Sequence, residues 1–377
     1  RDRKRLRKRF LNAIVELRNA ADAATLDQRV RDKFDTVAGW FESDVGRLLS
    51  SVLERTRPPS QVDHVGLDEG GTTTEPEAVV AGIAAQVQPW FNNDAGAVRL
   101  DQMPERWQRA LDPIAGVGPA VWGGLMEPMT RAELAEALAA SAQDKSPGAS
   151  GHTLRLYGLL VDHDGHGPLL DLLNLCLRRR GMPAQWRQGL IYLIPKTKDG
   201  FRGMAEGTRP ITLLETLSKL LMKVLLIRIY GVLGRVHVLR GACHSGLPGT
   251  DTGVPIAVLN AAAHQARFRQ SSLYAYFEDK SKAFDTVPHG LLRLCLRRLH
   301  LPESFISFYF DGVLTGRTAR VLTAFGPSNV VTIHRGIPQG AVESPFMFNV
   351  FYDVLICTLN EQFPGVTIDA HAGIRFN

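Results

Sequence analysis

The spacing of apolar and polar positions divides the chain into helical and extended stretches. Phe10, Leu11, Ile14, Val15 and Leu17 fall at helical spacing, and residues 1–57 read as helical with Gly46 as a break. Pro58, Pro59 and Ser60, then Gly70, Gly71 and three threonines, mark residues 58–75 as a linker. Residues 76–128 show no clean period; Trp90, Trp107 and Trp122 are spread through them, and short helices are the expectation. Thr130 followed by Glu133 is a capping-box pattern that opens a helix running to Ala140. Residues 167–180 predict a helix with Pro168 in its first turn, Arg178, Arg179 and Arg180 at its negative end and Gly181 as its stop. The apolar run 190–194, closed by Pro195, predicts a strand. Helices are expected over 212–233, 287–299, 302–314 and 343–360, and a hairpin over 317–324 and 329–334 around Gly326 and Pro327. Residues 273–278 read as a buried strand that delivers Asp279 at its end. No internal repeat is visible.

Length and composition add limits. A chain of 377 residues with 45% hydrophobic content has room for two or three domains and a sizeable core. Seven of the 44 basic side chains and one of the 38 acidic ones lie in residues 1–9, so this segment alone accounts for the net charge of +6. Arg3, Lys4, Arg5, Arg7, Lys8 and Arg9 therefore form a local device, suited to nucleic-acid phosphates or nuclear import, or simply a solvated helix start. Cys176, Cys243, Cys295 and Cys357 are far apart and include no C-x-x-C pair, which argues against a zinc site or a disulfide framework. Glu215, Lys219 and Lys223 interrupt the most apolar stretch, so no membrane span is expected. The chain starts at Arg1 rather than Met, and the expectation is a fragment or a piece of a larger polyprotein.

Several blocks carry candidate chemistry. A strand-end carboxylate such as Asp279 suits a hard cation, and an aromatic a few residues on, Phe284, suits a pocket wall. Asp285 has the ordinary role of capping the helix that starts near Pro288. A second block runs from Arg335 through Gly336, Ile337, Pro338, Gln339 and Gly340 to Ser344 and Pro345. Its glycines permit close backbone approach to a ligand. Lys196 and Arg209 end and begin two apolar runs upstream; a lone Lys after a strand and an Arg before a proline are ordinarily solvated, although an Arg fork suits a phosphate. Asp162, His163, Asp164, Gly165 and His166 have metal-ligand types at close spacing, but a helix start capped by Asp164 explains them better.

In this order, the blocks resemble the motifs of reverse transcriptases of non-LTR (LINE-like) retrotransposons. Residues 279–285 are similar to the family's motif A and 336–340 to its motif B. Residues 190–196 and 208–211 are similar to its finger motifs, 145–151 to its lysine–proline–glycine turn, and 244–250 more loosely to a glutamine–glycine–phenylalanine segment. The resemblance spans about residues 129–360. It implies an α+β fold: right-hand polymerase fingers and a partial palm, an antiparallel sheet backed by helices. The expected division is a basic helical extension over 1–57, a linker and irregular region over 58–128, fingers over 129–272 and a partial palm over 273–377, with the thumb absent. The implied activity is RNA-directed DNA polymerase, a nucleotidyltransferase using Mg2+ (or Mn2+), an RNA template, a DNA primer or target, and dNTPs. By resemblance Asp279 is the catalytic metal ligand and Phe284 a gate against the ribose 2′-OH. Lys196, Arg209 and Gln339 contact the nucleotide, and Gly336 and Gly340 let the template approach. Location in the nucleus or cytoplasm of a eukaryotic host follows on the same footing.

Glu278, Glu343, His244 and Leu247 depart from the family pattern, and the Tyr-x-Asp-Asp hairpin that follows motif B is not found; Asp369 is no substitute. One carboxylate cannot hold two metal ions, so the chain by itself is expected to be inactive. Two other readings stand beside this one: a nucleic-acid-binding remnant without chemistry, and an RNA-directed RNA polymerase, against which Phe284 argues.

Overall fold

The computed structural model describes residues 62–67, 70–92, 99–143, 145–162, 166–196, 200–241, 243–363, 365–369 and 374–376. The helix expected over 1–57, its basic cluster and residues 163–165 of the Asp/His loop lie outside the described residues.

Two short strands, β1 (Val65–Gly66) and β2 (Thr72–Thr73), pair and lead into α1 (Pro76–Phe91). Four helices follow: α2 (Glu105–Ala110), α3 (Arg131–Ala139), α4 (Leu154–Asp162) and α5 (His166–Arg179). Strands β3 (Gln188–Pro195) and β4 (Thr208–Leu213) precede α6 (Thr216–Leu233) and α7 (Gly253–Phe268). Next come α8 (His289–Arg298), α9 (Glu303–Ser307) and a π-helical turn, Phe308–Leu314. The described chain closes with β5 (Arg317–Thr323), β6 (Gly326–Pro327), β7 (Val331–Ile333), α10 (Ser344–Gln362), β8 (Val366–Asp369) and β9 (Ile374–Phe376).

The main sheet runs β4-β3-β5-β6, with β7 also on β5. β3 and β4 are antiparallel, with Leu190 opposite Leu213 and Pro195 opposite Thr208. β3 and β5 are parallel, with Gln188 opposite Thr318 and Ile191 opposite Val321, so the sheet is mixed. Alternate residues Ile191 and Leu193, Ala319 and Val321, and Val331 and Ile333 point to one face. α1 covers that face with Val79, Ile83, Val87 and Trp90, and Val62 and Val65 complete the cluster. Each fully buried Val or Ile there contributes about 1.5–3 kcal/mol over exposure. The stretch expected to be linker and short helices thus carries a hairpin and a 16-residue helix.

A second, larger core surrounds α6, which is buried nearly all round through Leu217, Leu220, Leu221, Val224, Leu225 and Ile229. The helix is shorter than expected at its start, because residues 208–213 pair with β3 as a strand and Glu215 caps the helix through Thr216 N. The capping box at α3 forms as its pattern predicts: Glu133 N donates to Thr130 Oγ1 and Thr130 N to Glu133 Oε2. Glu133 also receives Arg228 from α6 through two hydrogen bonds of 2.7 and 2.9 Å, and this guanidinium pulls its carboxyl down to about 2. No described helix is long and apolar enough to cross a membrane.

Candidate functional site

The loop between β7 and α10 is held from two sides. Gly336 has φ +83°, and a Cβ there would fall 2.4 Å from the Asp285 carbonyl oxygen. Gly336 N donates to Val287 O (2.9 Å) and Ile337 N to Phe284 O (2.9 Å), which seams this loop to residues 284–287. The Gln339 side chain donates to Asp285 Oδ2 at 2.8 Å. On the other side Thr212 N of β4 donates to Gln339 O at 2.6 Å, and a Cβ at Gly340 (φ +120°) would meet Thr212 O at 2.6 Å. Only glycine fits such close backbone approach at positive φ.

The more loosely matching blocks dock onto the same frame. A Cβ on Gly148 would come within 2.6 Å of Glu215 N, and Ser150 Oγ donates to Glu215 Oε1 at 2.7 Å, so the 145–151 turn sits on the start of α6. Asn349 Nδ2 donates to Ser245 O at 2.6 Å, and Gly246 abuts Pro345, so residues 244–250 meet the first turns of α10. Blocks separated by up to two hundred residues thus dock onto α6 and α10, the helices that follow β4 and the Gly336–Gly340 loop.

Beneath the loop lies a buried polar group set. Arg317 Nη2 donates to Gly336 O at 2.6 Å, and His289 Nε2 lies 2.9 Å from the same oxygen. Glu343, Arg317 and Tyr309 are all buried, and the Tyr309 hydroxyl has no hydrogen-bond partner. Burial pushes Asp285 up to about 6, against the pull of Gln339, and Glu343 up to about 7, and it lowers Arg317 to about 10. Burial also lowers His289 to about 4, so at neutral pH its ring is neutral and its Nε2–H faces the carbonyl.

A raised carboxylate means that the folded chain holds a proton after the unfolded chain has released it. The stability contributed by Asp285 and Glu343 therefore falls as pH rises through about 4 to about 7 and levels off above, while His289 contributes in the opposite direction over the same range. Asp285→Asn keeps an acceptor for Gln339 and removes this titration. It is expected to add about 1–3 kcal/mol at about pH 7.5 and nothing at about pH 4. Urea denaturation at both pH values checks this, and an equal effect at both would refute it.

Two expectations need correction. Residues 273–278 are irregular and exposed, with Tyr274 at 92% and Phe277 at 78% exposure. A strand needs a neighbour for its backbone hydrogen bonds, and among the described residues none pairs with this stretch. Asp279 consequently stands in solvent rather than at the end of a buried strand. Asp285 does not cap α8; Pro288 holds the N-cap position without a side-chain bond, and Asp285 is buried against Gln339.

The remaining predicted residues are dispersed around the loop. Phe284 is half-buried and stacks on Phe348 of α10 (centroids 5.0 Å apart), which in turn stacks on Tyr352 at 5.5 Å. Arg209 is exposed on β4 opposite Ile194, and Lys196 Nζ reaches Glu206 O at 3.5 Å. Glu278 is paired with Lys280 and takes a 3.5 Å contact from Tyr352 Oη. A divalent cation needs several converging oxygens, and among the described residues no group of three or more His, Cys, Asp or Glu comes together. The described residues therefore do not compose a metal site. Sequence patterning missed Arg317, His289 and Tyr309, which look like ordinary members of apolar stretches; the odd charge at Glu343 was the one visible signal of the buried set.

Comparison with known proteins decides the family. Residues 194–372 match the family model described as reverse transcriptase (RNA-dependent DNA polymerase). The chain carries a reverse transcriptase domain. Its kind is that of non-LTR retrotransposons, as the relatives indicate. The transposon TX1 uncharacterized 149 kDa protein of Xenopus laevis is 23% identical over 95% of this chain and 26% of its own length. The Pol polyprotein from the type-1 retrotransposable element R2 of Popillia japonica is 30% identical over 52% of this chain and 27% of its own. The probable RNA-directed DNA polymerase from transposon BS of Drosophila melanogaster is 26% identical over 67% and 27%. The chain thus spans about a quarter of the length of these relatives. The loop of Gly336 to Gly340 and the turn of Asp279 to Asp285 lie inside the matched reverse transcriptase region, as do Lys196 and Arg209.

Proposed function

We propose that this chain forms the fingers and part of the palm of an RNA-directed DNA polymerase that copies an RNA template from a DNA primer end with dNTPs. The observation that carries this reading is the double seam on the Gly336–Gly340 loop: finger strand β4 through Thr212 on one side, the Phe284–Asp285 turn on the other. Nucleotidyl transfer relies on positioning more than on covalent chemistry, and the seam supports this reading because it joins the elements that carry the candidate residues. Phe284, braced by Phe348, is the gate candidate; Arg209 and Lys196 are the phosphate-clamp candidates; Gln339 presents its loop. Fingers over 129–272 and palm over 273–377 are the division we adopt; the mixed sheet spans it, with β3 and β4 on the finger side and β5 to β7 on the palm side. Asp279 is one carboxylate for Mg2+, and further ligands must come from outside the described residues before an ion is held. A eukaryotic nuclear or cytoplasmic setting belongs to the same proposal.

The test uses a labelled RNA template annealed to a DNA primer and the 377-residue chain. Binding is expected, weakening steeply between about 50 and about 200 mM salt as phosphate contacts are lost. Asp279→Ala is expected to leave this binding unchanged, and no primer extension is expected with dNTPs and Mg2+. Absence of binding at low salt would overturn the reading. Primer extension would overturn the incompleteness of the metal set.

A further inference from the structure

A cavity of about 110 Å³ opens beside the Gly336–Gly340 loop, walled by Leu154 of α4, Thr216, Lys219 and Lys223 of α6, Lys145 of the preceding turn, and Val342. At about 30 Å³ per water it has room for a group the size of a phosphate. Three ammonium groups converge there from two elements. Among the described residues none of the three is in an ion pair. Lys219 and Lys223 are one helical turn apart on the same face, a like-charge arrangement that costs helix stability unless something negative lies between. Both are half-buried. Lys219 donates to Ser146 O at 3.2 Å, which aims it across the mouth. Burial, reinforced by Lys145, holds the Lys219 amine below its ordinary value, while Glu215 opposes this. Among the described residues Glu215 is the carboxylate that acts on Lys219, and its side chain is already taken by Ser150 and Thr216 N. Among the described residues the wall thus carries a surplus of positive charge with no ion-pair partner.

We infer that this cavity binds a backbone phosphodiester of the nucleic-acid strand that passes the Gly336–Gly340 loop. The inference rests on the polymerase reading for the identity of the ligand and on the cavity alone for its charge. Val342 joins the two, since it forms part of the wall two residues after Gly340. Lysine suits such a contact because it acts as a point charge with no demand for a bidentate partner, and binding would be independent of base sequence.

The experiment compares two triple variants of the full chain, each lacking three positive charges. The test variant is Lys145→Gln/Lys219→Gln/Lys223→Gln; the control is Arg106→Gln/Arg109→Gln/Arg179→Gln, three exposed arginines on α2 and α5. Affinity for labelled RNA and DNA 20-mers is measured across a salt series. The test variant is expected to bind about tenfold or more weakly and to lose about 0.7 from the magnitude of the salt slope, the amount one phosphate contact contributes on a single strand. Equal losses in both variants, or none in the test variant, would overturn the site. A second readout is independent of the polymerase reading: lysines of the unaltered chain are tagged by 13C reductive methylation and titrated with pyrophosphate. Signals of Lys145, Lys219 and Lys223, assigned by the single Gln variants, are expected to move first. If the chain binds no oligonucleotide yet these signals move, the polymerase reading fails and the anion site stands. If they stay fixed while other lysines respond, or if nothing responds, the site fails. RNA binding favoured over DNA would name the template strand as the occupant.

Discussion

Gly336→Ala is expected to destabilise the chain by about 2–5 kcal/mol and to abolish nucleic-acid binding at the loop. Two separate penalties add. A non-glycine residue held in the left-handed region costs about 1–2 kcal/mol, and Gly336 sits at φ +83°. The new Cβ would also meet Asp285 O, C and Cα at 2.4, 2.7 and 2.9 Å. Those are backbone atoms already committed to the seam with Gly336 and Ile337, so they cannot rotate away, and such overpacking costs about 1–3 kcal/mol more. Two other glycines separate the terms. Gly326 has φ +106° with nothing near its Cβ position, so Gly326→Ala should show the conformational penalty alone. Gly207 has open space and an ordinary φ, so Gly207→Ala should be nearly silent. Urea midpoints of the three variants check the order; a Gly336→Ala no worse than Gly326→Ala would refute the close-approach argument.

The other large effect belongs to a buried ion pair behind the site. Arg298 of α8 reaches Asp353 of α10 at 2.6 Å, with exposures of 7% and 0%. Asp353 Oδ1 also accepts Gly241 N at 2.6 Å, so one carboxylate ties two helices and the 240s loop together. Asp353→Ala strands a buried guanidinium and an amide, and the expected loss is about 3–5 kcal/mol. The pair itself is not expected to be worth that much, because both charges were desolvated to form it. Arg298→Met combined with Asp353→Leu should therefore recover most of the loss. Thermal and urea unfolding of the two single variants and the double variant form the cycle. A double variant as unstable as the sum of the singles would show that no such compensation operates.

Legibility differed sharply between parts of the chain. The capping box at Thr130 and Glu133, the hairpin of β5 and β7, and helices α8 and α10 are local patterns, and each formed close to where its spacing placed it. α1 was legible in principle: Val79, Ile83, Val87 and Trp90 lie on one helical face, but the tryptophans and short apolar gaps around them obscured the period. α4 and α7 escaped for different reasons. α4 follows a Gly-rich turn that masks its start. α7 buries only Ala262, so little core pressure shaped an apolar stripe, though Asp251 does accept Gly253 N as a local start signal. The strand expected over 273–278 shows the converse error. Its apolar and aromatic run was real, but such a run says nothing of whether a neighbour is there to pair with.

By itself, the sequence determined the order of the motif blocks and the types of most elements, because each of these is written in spacing along a few consecutive turns or strands; the resemblance to reverse transcriptases rests on those blocks. Only the tertiary structure decided the rest. It placed β5 parallel beside β3, set Gln339 between Asp285 and Thr212, buried Arg317, Glu343 and Tyr309 beneath one loop, and left Asp279 in solvent. The physical reason is range. A helix or turn is selected by side chains within about four residues of one another, whereas the cost of a charge depends on which remote segments exclude water from it. Asp285 and Gln339 are 54 residues apart, and no pattern along the chain announces their hydrogen bond.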